Sequence, residues 1–299
     1  MMNPWPFAAR ESDGERRRWR WELSGGRLLE LGGRTAIMGI VNVTPDSFSD
    51  GGRHFERAAA VEHGLRLAAE GAEINDVGGQ STRPGSSEVT LEEELSRVLP
   101  VVEGIRTASR VAVSVDTYRA EVARRALASG ADIVNDISAF RFDADMLPLL
   151  AGTGAPAVAM HIRGTPRDMQ DAPRYDDVVG EVRDHLRGVL DGAARAGVKR
   201  ERIAVDPGIG FGKTAEHNLE LLRRLDEFRA LGCPVAVGAS RKSFIGRILE
   251  LAEAGERLEG TLAVTALAAA SGAAIVRVHD VAANVRAARV AEAVVGRRP

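Results

Sequence analysis

The chain has 299 residues, of which 44% are hydrophobic and 27% charged, the composition of an ordinary globular protein. Forty basic residues oppose forty-two acidic ones, so the net charge of −2 gives no reason to expect a nucleic-acid-binding surface. No apolar run approaches the ~20 residues of a membrane helix, no secretory signal is recognisable, and one cysteine, Cys233, excludes a disulfide framework. These features predict a cytoplasmic protein without membrane or nucleic-acid partners.

The first segment, residues 1–34, does not share the pattern of the rest of the chain. Residues 1–18 are polar and contain proline, which predicts a disordered tail and leaves 19–299 as one domain. Two short apolar runs, 19–23 and 28–31, are separated by Ser24-Gly25-Gly26 and predict a β-hairpin. The hairpin either plugs one end of the fold that follows or presents a partner surface, and we favour the plug.

From residue 35 onward, a glycine leads into an apolar, β-branched run at six positions, which indicates repeated helix-to-strand turns: Gly71, Gly130, Gly154, Gly197, Gly232 and Gly272. Eight strands are predicted, at 35–41, 73–77, 111–115, 132–134, 156–160, 202–205, 234–238 and 274–278. Helices are predicted at 56–70, 91–108, 118–129, 143–151, 176–196, 215–230, 243–271 (broken near Gly255) and 280–295.

Eight such units predict an α/β fold, a single (β/α)₈ TIM barrel with an N-terminal β-hairpin plug. A doubly wound open sheet is the alternative. It would be favoured by a glycine-rich dinucleotide fingerprint after the first strand, and the sequence has none there.

Polar residues follow every predicted strand, at the end where a barrel of this kind carries its chemistry. An aspartate or asparagine at one such position commonly caps the next helix, but eight of eight positions are harder to explain that way. They lie in the segments 42–52, 76–86, 114–117, 135–136, 160–161, 206–214, 239–243 and 277–280.

These rim residues sort by chemistry. Asp116, Asn135 and Asp206 form a donor–acceptor set that suits a flat heterocycle with an amino-imine edge, and Lys242 could donate beside it. A second set is cationic and typical of phosphate binding: Arg83, Arg277 and His279. The helix start at Lys242 and Ser243 suits a carboxylate. His161 either contacts the ligand or packs in the core, and the acidic run Glu92–Glu94 predicts a solvated helix start.

The segment after the sixth predicted strand resembles a nucleotide-binding motif only superficially. DPGIGFGKT, beginning at Asp206, superficially resembles a nucleotide-binding P-loop, but only three residues separate Gly208 from Gly212, so we reject that interpretation. The chain also has only three lysines, Lys199, Lys213 and Lys242, and two of them fall in rim segments.

Taken together, the rim motifs resemble those of the dihydropteroate synthase family, the folate-pathway enzymes that sulfonamides target. The resemblance covers residues 19–295 and rests on the order and spacing of seven motifs: NVTPDSFSDGG from Asn42, STRPG from Ser81, SVDT from Ser114, VNDI from Val134, DPGIGFGK from Asp206, SRKS from Ser240 and RVHD from Arg277.

The resemblance implies an activity and a set of roles. It implies condensation of 6-hydroxymethyl-7,8-dihydropterin diphosphate with 4-aminobenzoate to give 7,8-dihydropteroate and diphosphate, with Mg²⁺ as cofactor and a homodimer as assembly. The implied pterin ligands are Asp116, Asn135, Asp206 and Lys242. The implied diphosphate ligands are Thr82, Arg277 and His279, with Asn42 at the Mg²⁺ site, and the implied aminobenzoate site comprises Arg83, Pro84, Phe211 and Ser243. Asp116, Lys242, Arg277 and His279 are the expected catalytic residues.

Three positions depart from the family's usual pattern, namely Asn75 in place of an apolar residue, Gln80 in place of Glu and Arg163 in place of Gln. Arg163 could add a cation beside the pterin edge. Asn75 and Gln80 are the support for an alternative, a paralogue that binds pterin with little or no turnover. A methyltetrahydrofolate-type pterin methyltransferase is the other alternative, although it would not need the SRKS motif or the cationic set.

Overall fold

The computed structural model describes residues 17–43, 52–82, 85–86 and 88–296. The predicted disordered tail, 1–18, lies outside the described residues except for its last two positions. Strands β1 (Trp19–Glu22) and β2 (Leu28–Leu31) then form the expected antiparallel hairpin, with Trp19 opposite Leu31. Its turn is a 3₁₀ segment, Ser24–Gly26.

Eight parallel strands follow and form one sheet. They are β3 (Ala36–Asn42), β4 (Ile74–Gly78), β5 (Ala112–Asp116), β6 (Ile133–Asp136), β7 (Ala157–Met160), β8 (Ile203–Asp206), β9 (Ala236–Val237) and β10 (Ile275–Val278). Their spatial order is β8-β7-β6-β5-β4-β3-β10-β9, and a parallel bridge between Val205 and Val235 joins the two ends. The predicted eight-stranded barrel is therefore confirmed, and the doubly wound alternative is wrong.

Helices connect the strands and cover the outside of the barrel. They are α1 (Gly52–Ala69), α2 (Leu91–Ala108), α3 (Ala120–Ala128), α4 (Met146–Thr153), α5 (Val178–Arg195), α6 (Ala215–Arg223), α7 (Ser243–Leu249), α8 (Leu258–Ala270) and α9 (Val281–Val294). None of the helices in this part of the chain combines the length and the apolarity that a bilayer-spanning segment requires.

Two predicted helices are each divided in the structure. The predicted helix 215–230 is α6 followed by a 3₁₀ segment, Leu225–Leu231. The predicted helix 243–271 is α7, a 3₁₀ segment and α8. Glu250 caps the C-terminus of α7: its φ is 57°, and its backbone N–H donates to Gly246 O. A left-handed residue reverses the chain direction, so the helix stops there and not at the expected Gly255.

The hairpin plugs the N-terminal end of the barrel. Trp21 and Leu31 are fully buried and pack in one apolar cluster with residues near the start of all eight strands, among them Ala36, Ile74 and Ile133. Trp21 Nε1 also donates to the Glu201 carbonyl oxygen at 2.8 Å. Because this end is filled with side chains, the polar residues at the other ends of the strands face a separate opening, the barrel mouth.

Candidate functional site

The barrel mouth is organised around Arg277, which projects from β10 between two carboxylates. Arg277 Nε donates to Asp76 Oδ2 at 2.6 Å, and Nη2 donates to Asp116 Oδ2 at 2.7 Å. Asn135 Nδ2 donates to the same Asp76 oxygen at 3.0 Å. Side chains from β4, β5, β6 and β10 thus form one connected network, which we call the mouth cluster (Asp76, Asp116, Asn135 and Arg277).

Asp206 lies beside this cluster, at the end of β8. A Cβ atom built on Gly238 would lie 3.7 Å from Asp206 Oδ2 and 3.8 Å from Arg277 Cβ, so this glycine leaves open the space between the two side chains. Asp206 Oδ1 accepts the Gly208 backbone N–H at 2.7 Å, which orients the carboxylate.

Burial has the largest effect on the pKa values of Asp116 and Asp206. It raises the pKa of Asp116 to about 7, although Arg277 opposes the shift. It also raises the pKa of Asp206 to about 6, against the opposing effects of the Gly208 N–H and of Lys242. The pKa of Arg277 is raised, because its two carboxylate partners outweigh its burial. Both groups therefore titrate near neutral pH, so their ability to accept hydrogen bonds as carboxylates is sensitive to pH and to neighbouring charge.

Lys242 and Phe211 form the next part of the rim. Lys242 Nζ lies 3.9 Å from the centroid of the Phe211 ring, within the range of a cation–π contact. The Lys242 stem also passes close to Gly210, where an added Cβ would lie 3.1 Å from Lys242 Cδ. Phe211 is buried, so the loop after β8 presents one aromatic face to one cation.

His279 follows β10 and is held by Ser240 of the segment after β9. Its Nδ1 is hydrogen-bonded to Ser240 Oγ at 2.9 Å, and its backbone N–H donates to the same oxygen at 3.2 Å. The neighbouring Arg241 and Asp280 pair through two hydrogen bonds of 3.1 and 2.6 Å. The SRKS and RVHD motifs are therefore locked together, which fixes the position of His279 on the rim.

The prediction of a solvated helix start at Glu92–Glu94 is wrong for Glu94, whose exposure is 2%. Glu94 Oε1 accepts from Thr117 Oγ1 at 2.7 Å, and Oε2 accepts from Arg119 Nη1 at 2.8 Å. The side chain thus braces the segment directly after Asp116. The buried position follows from the contact with β5, which the local charge pattern does not encode.

The remaining predicted site residues occupy the same end of the barrel without joining the mouth cluster, as far as the described residues show. Asn42 ends β3 opposite Gly78, Thr82 follows β4 and Ser243 begins α7. The predicted Arg83 and Pro84 lie outside the described residues. Asn42 is also the expected metal ligand, and the described part of the chain contains no group of three or more acidic, histidine or cysteine side chains that could hold a metal ion.

Asp76 is the site residue that the sequence analysis left out of its assignments. It lies in the predicted rim segment 76–86, without an assigned role there. The structure shows a fully buried carboxylate that binds both Arg277 and Asn135 and whose Oδ1 has no hydrogen-bond partner in the described residues. The signal available in the sequence was an aspartate inside a short buried strand, where a carboxylate needs a partner.

The three unusual positions each find partners. Asn75 Nδ2 donates to the Gly64 carbonyl oxygen at 2.7 Å, and Gln80 Nε2 donates to the Tyr118 hydroxyl at 2.8 Å. Arg163 stacks on Tyr175 at 4.0 Å and pairs with Glu181 at 2.8 Å. The expectation that Arg163 adds a cation beside the pterin edge is not supported, because α5 and Tyr175 hold the guanidinium.

Comparison with known proteins identifies a matching family and similar relatives over most of the chain. A family model described as pterin binding enzyme matches residues 38–279. The chain is 49% identical over 269 residues to the dihydropteroate synthase of Synechocystis sp., which covers 90% of this chain and 93% of the relative. It is 49% identical over 257 residues to the dihydropteroate synthase of Escherichia coli strain K12, which covers 86% of this chain and 90% of the relative.

Solved structures agree with these relatives. The dihydropteroate synthase of Xanthomonas albilineans with 4-aminobenzoic acid has a TM-score of 0.87 at 46% identity and covers 93% of this chain and 98% of that chain. The Xanthomonas albilineans enzyme in complex with 7,8-dihydropteroate has a TM-score of 0.83 at 44% identity, with coverage of 92% and 98%. The Yersinia pestis enzyme in a sulfonamide drug complex has a TM-score of 0.86 at 40% identity, with the same coverage.

Proposed function

This chain belongs to the dihydropteroate synthase family, and on that basis we propose how the groups at its barrel mouth carry out the family's reaction. The reaction joins 6-hydroxymethyl-7,8-dihydropterin diphosphate to 4-aminobenzoate and yields 7,8-dihydropteroate and diphosphate. The chain is thus a transferase of the pterin-methyl group in folate biosynthesis. The observation that carries this assignment is the sequence identity of 49% to dihydropteroate synthases over most of the chain.

The mouth cluster, Asp206 and Lys242 hold the pterin. The edge of that ring carries an amino group and a ring N–H, both donors, which one buried carboxylate can receive together. Asp116 and Asp206 supply carboxylates from β5 and β8, and Asn135 adds an amide that both donates and accepts. Such buried acceptors reject a ring without matching donors, since each unpaired group costs about 1–3 kcal/mol.

The aminobenzoate site is assigned to the rim beside the pterin. The Phe211 ring packs against the arylamine, and Lys242 lies between that ring and the pterin acceptors. Ser243, Arg83 and Pro84 complete this site in the proposal. The complexes of the Xanthomonas albilineans and Yersinia pestis enzymes with 4-aminobenzoic acid and a sulfonamide drug support an aminobenzoate-like ligand in this barrel.

The diphosphate is assigned to Arg277, His279 and Thr82. Arg277 uses two of its three side-chain nitrogen atoms to bind Asp76 and Asp116, which fixes the orientation of the guanidinium that faces the phosphate. His279 is held in place by Ser240, so its ring is oriented before substrate arrives. Their shared task is to stabilise negative charge on the departing group.

Mg²⁺ is proposed as the cofactor, with Asn42 as its protein ligand. The donor set fits, because Mg²⁺ is commonly held by one or two protein oxygens together with substrate phosphates, and Asn42 offers an amide oxygen at the end of β3. When bound, Mg²⁺ would neutralise charge on the diphosphate.

In the chemical step the bond between the pterin methylene carbon and the diphosphate oxygen breaks, and a bond from the arylamine nitrogen to that carbon forms. Asp116, beside the ring, favours the positive charge that the methylene and ring share as diphosphate leaves. Phe211 holds the amine against that carbon while Lys242 holds the pterin, which replaces a bimolecular encounter with a fixed geometry. The amine then releases one proton, and no covalent enzyme intermediate is required.

The assembly and location are also proposals. Several apolar side chains on α7, α8 and α9 are exposed, namely Ile248, Leu249, Leu267, Val290 and Val294, and we propose that this face pairs two copies in a homodimer. We assign the chain to the cytoplasm. Burial raises the pKa of Cys233 to about 12, so this thiol is unreactive and compatible with a reducing compartment.

An activity assay with both substrates tests the function. We expect diphosphate and dihydropteroate to appear only when pterin diphosphate, 4-aminobenzoate and Mg²⁺ are all supplied. Pterin binding without diphosphate release would favour the non-catalytic paralogue, and methyl transfer from methyltetrahydrofolate would favour the methyltransferase. Asp206→Ala should abolish the signal, whereas Asp226→Ala, which removes an exposed aspartate far from the mouth, should retain it.

A further inference from the structure

One buried lysine, whose pKa burial lowers to about 7, is not used by the mechanism above. Lys213 ends the loop after β8 and is only 3% exposed. Its Nζ donates to the Phe211 carbonyl oxygen at 2.8 Å and to His161 Nδ1 at 3.0 Å. The side chain therefore ties the loop after β8 to the end of β7.

The sequence places a lysine here in a chain that otherwise uses arginine. Three of the forty basic residues are lysines, and Lys213 is the most deeply enclosed of them. An ammonium group is compact and has three rotatable donors, whereas a guanidinium is a wide, rigid fork.

His161 is suited to act as the fixed acceptor. Burial, followed by the charge on Lys213, lowers the pKa of His161 to about 2, so the ring is neutral at any physiological pH. A neutral imidazole has one nitrogen that accepts. The contact with Lys213 assigns that role to Nδ1 and resolves the open interpretation of His161 in favour of the core.

The loop after β8 contains three glycines with positive φ, so hydrogen bonds are needed to hold it in one conformation. Gly208, Gly210 and Gly212 have φ values of 70°, 80° and 62°, a conformation that glycine adopts at little cost but that leaves the chain many alternatives. The Gly210 carbonyl oxygen accepts from Gln170 Nε2 at 2.9 Å, and that of Gly212 accepts from the Tyr175 hydroxyl at 2.9 Å. Phe211 lies between them, and Lys213 supplies the hydrogen bond to its carbonyl.

We propose that Lys213 is a positioning residue for 4-aminobenzoate: its hydrogen bond to the Phe211 carbonyl holds the Phe211 ring against Lys242. This inference rests on the proposed function, which places Phe211 in the aminobenzoate site beside the pterin ligand Lys242. Lys213 is enclosed on all sides, so it acts through Phe211 and not on the substrate. Its charge also helps to keep Asp206 ionised, but Lys242 contributes more to that effect, so pterin binding depends less on Lys213.

The test compares Lys213→Met with Lys199→Met, which removes an exposed lysine remote from the mouth. Methionine keeps the length of the stem and loses the donor. We expect KM for 4-aminobenzoate to rise about tenfold, equivalent to about 1.4 kcal/mol of binding, while KM for the pterin diphosphate changes less than threefold. The Lys199→Met protein should match the wild type in both constants.

Lys213→Gln gives a second reading, because its shorter amide can still donate to the Phe211 carbonyl. We expect an aminobenzoate KM between those of the wild type and Lys213→Met, and this variant decides the question if the methionine variant does not fold. Equal rises in both KM values, an unchanged aminobenzoate KM, or a glutamine variant no better than methionine would overturn the proposal. Absence of dihydropteroate formation by the wild type would instead refute the proposed function.

Discussion

Replacement of Arg277 by methionine is the perturbation for which the structure predicts the largest electrostatic effect. The guanidinium separates Asp76, whose side chain is fully buried, from Asp116, whose side chain is 10% exposed. Removal of one partner from a buried ion pair costs about 3–5 kcal/mol, because a charge is left without compensation. Arg277 itself is 25% exposed, so water screens part of the loss, and we expect about 3 kcal/mol at pH 8.

The pH dependence of that loss has a definite sign. A carboxyl group whose pKa is higher in the folded than in the unfolded chain destabilises the fold as pH rises between the two values. For Asp116 this interval runs from its ordinary value of 3.8 to about 7 in the wild type, and it extends further upward without Arg277. Between pH 7 and pH 8 the variant therefore loses about 1.4 kcal/mol more than the wild type, the free energy of one pKa unit.

Urea denaturation at about pH 5 and pH 8 measures the effect as the difference in unfolding free energy between variant and wild type. Arg124→Met is the matched control, since it removes an exposed arginine whose partner is Glu121 on the same helix, and we expect little change at either pH. An Arg277→Met loss below about 1 kcal/mol at pH 8, or a larger loss at pH 5 than at pH 8, would refute the electrostatic reasoning.

Three further predictions concern the mouth, the plug and the metal. Because burial raises the pKa of Asp116 to about 7 and that of Asp206 to about 6, pterin affinity should fall as pH drops from about 8 to 5.5, and calorimetry showing tighter binding at low pH would contradict this. Trp21→Ala should lower the unfolding free energy by about 3–5 kcal/mol in urea titrations and leave both KM values unchanged; altered KM values would mean that the plug is coupled to the mouth. Asn42→Ala should raise the Mg²⁺ concentration needed for half-maximal diphosphate release, and an unchanged requirement would remove Asn42 from the proposed metal site.

The fold could be predicted from the sequence because the same helix-to-strand pattern recurs along the chain. Six of the eight barrel strands, all except β3 and β5, begin after a glycine that follows a helical segment, and at Gly71, Gly130 and Gly272 this glycine has a φ near 100°. The hairpin was recognisable from the glycines between two apolar runs. The split of the predicted helix 243–271 was not, because Glu250 adopts the left-handed conformation there without being glycine.

The candidate site could be predicted only in part from the sequence. Position at the strand ends predicts that Asp116, Asn135, Asp206 and Arg277 face one opening, and the structure places them there. The pairing of Arg277 with Asp76 depends on contacts between side chains that are 201 residues apart. The burial of Glu94 and Lys213 likewise arises from tertiary packing, and no local pattern distinguishes them from solvated charges.

Calorimetric titration with the dihydropterin diphosphate tests most directly whether the mouth is the pterin site. The account predicts one binding site in the wild type, no detectable binding by Asp206→Ala and unchanged binding by Asp226→Ala. Wild-type affinity in the Asp206→Ala protein would contradict the assignment of the barrel mouth as the place where the ring is recognised.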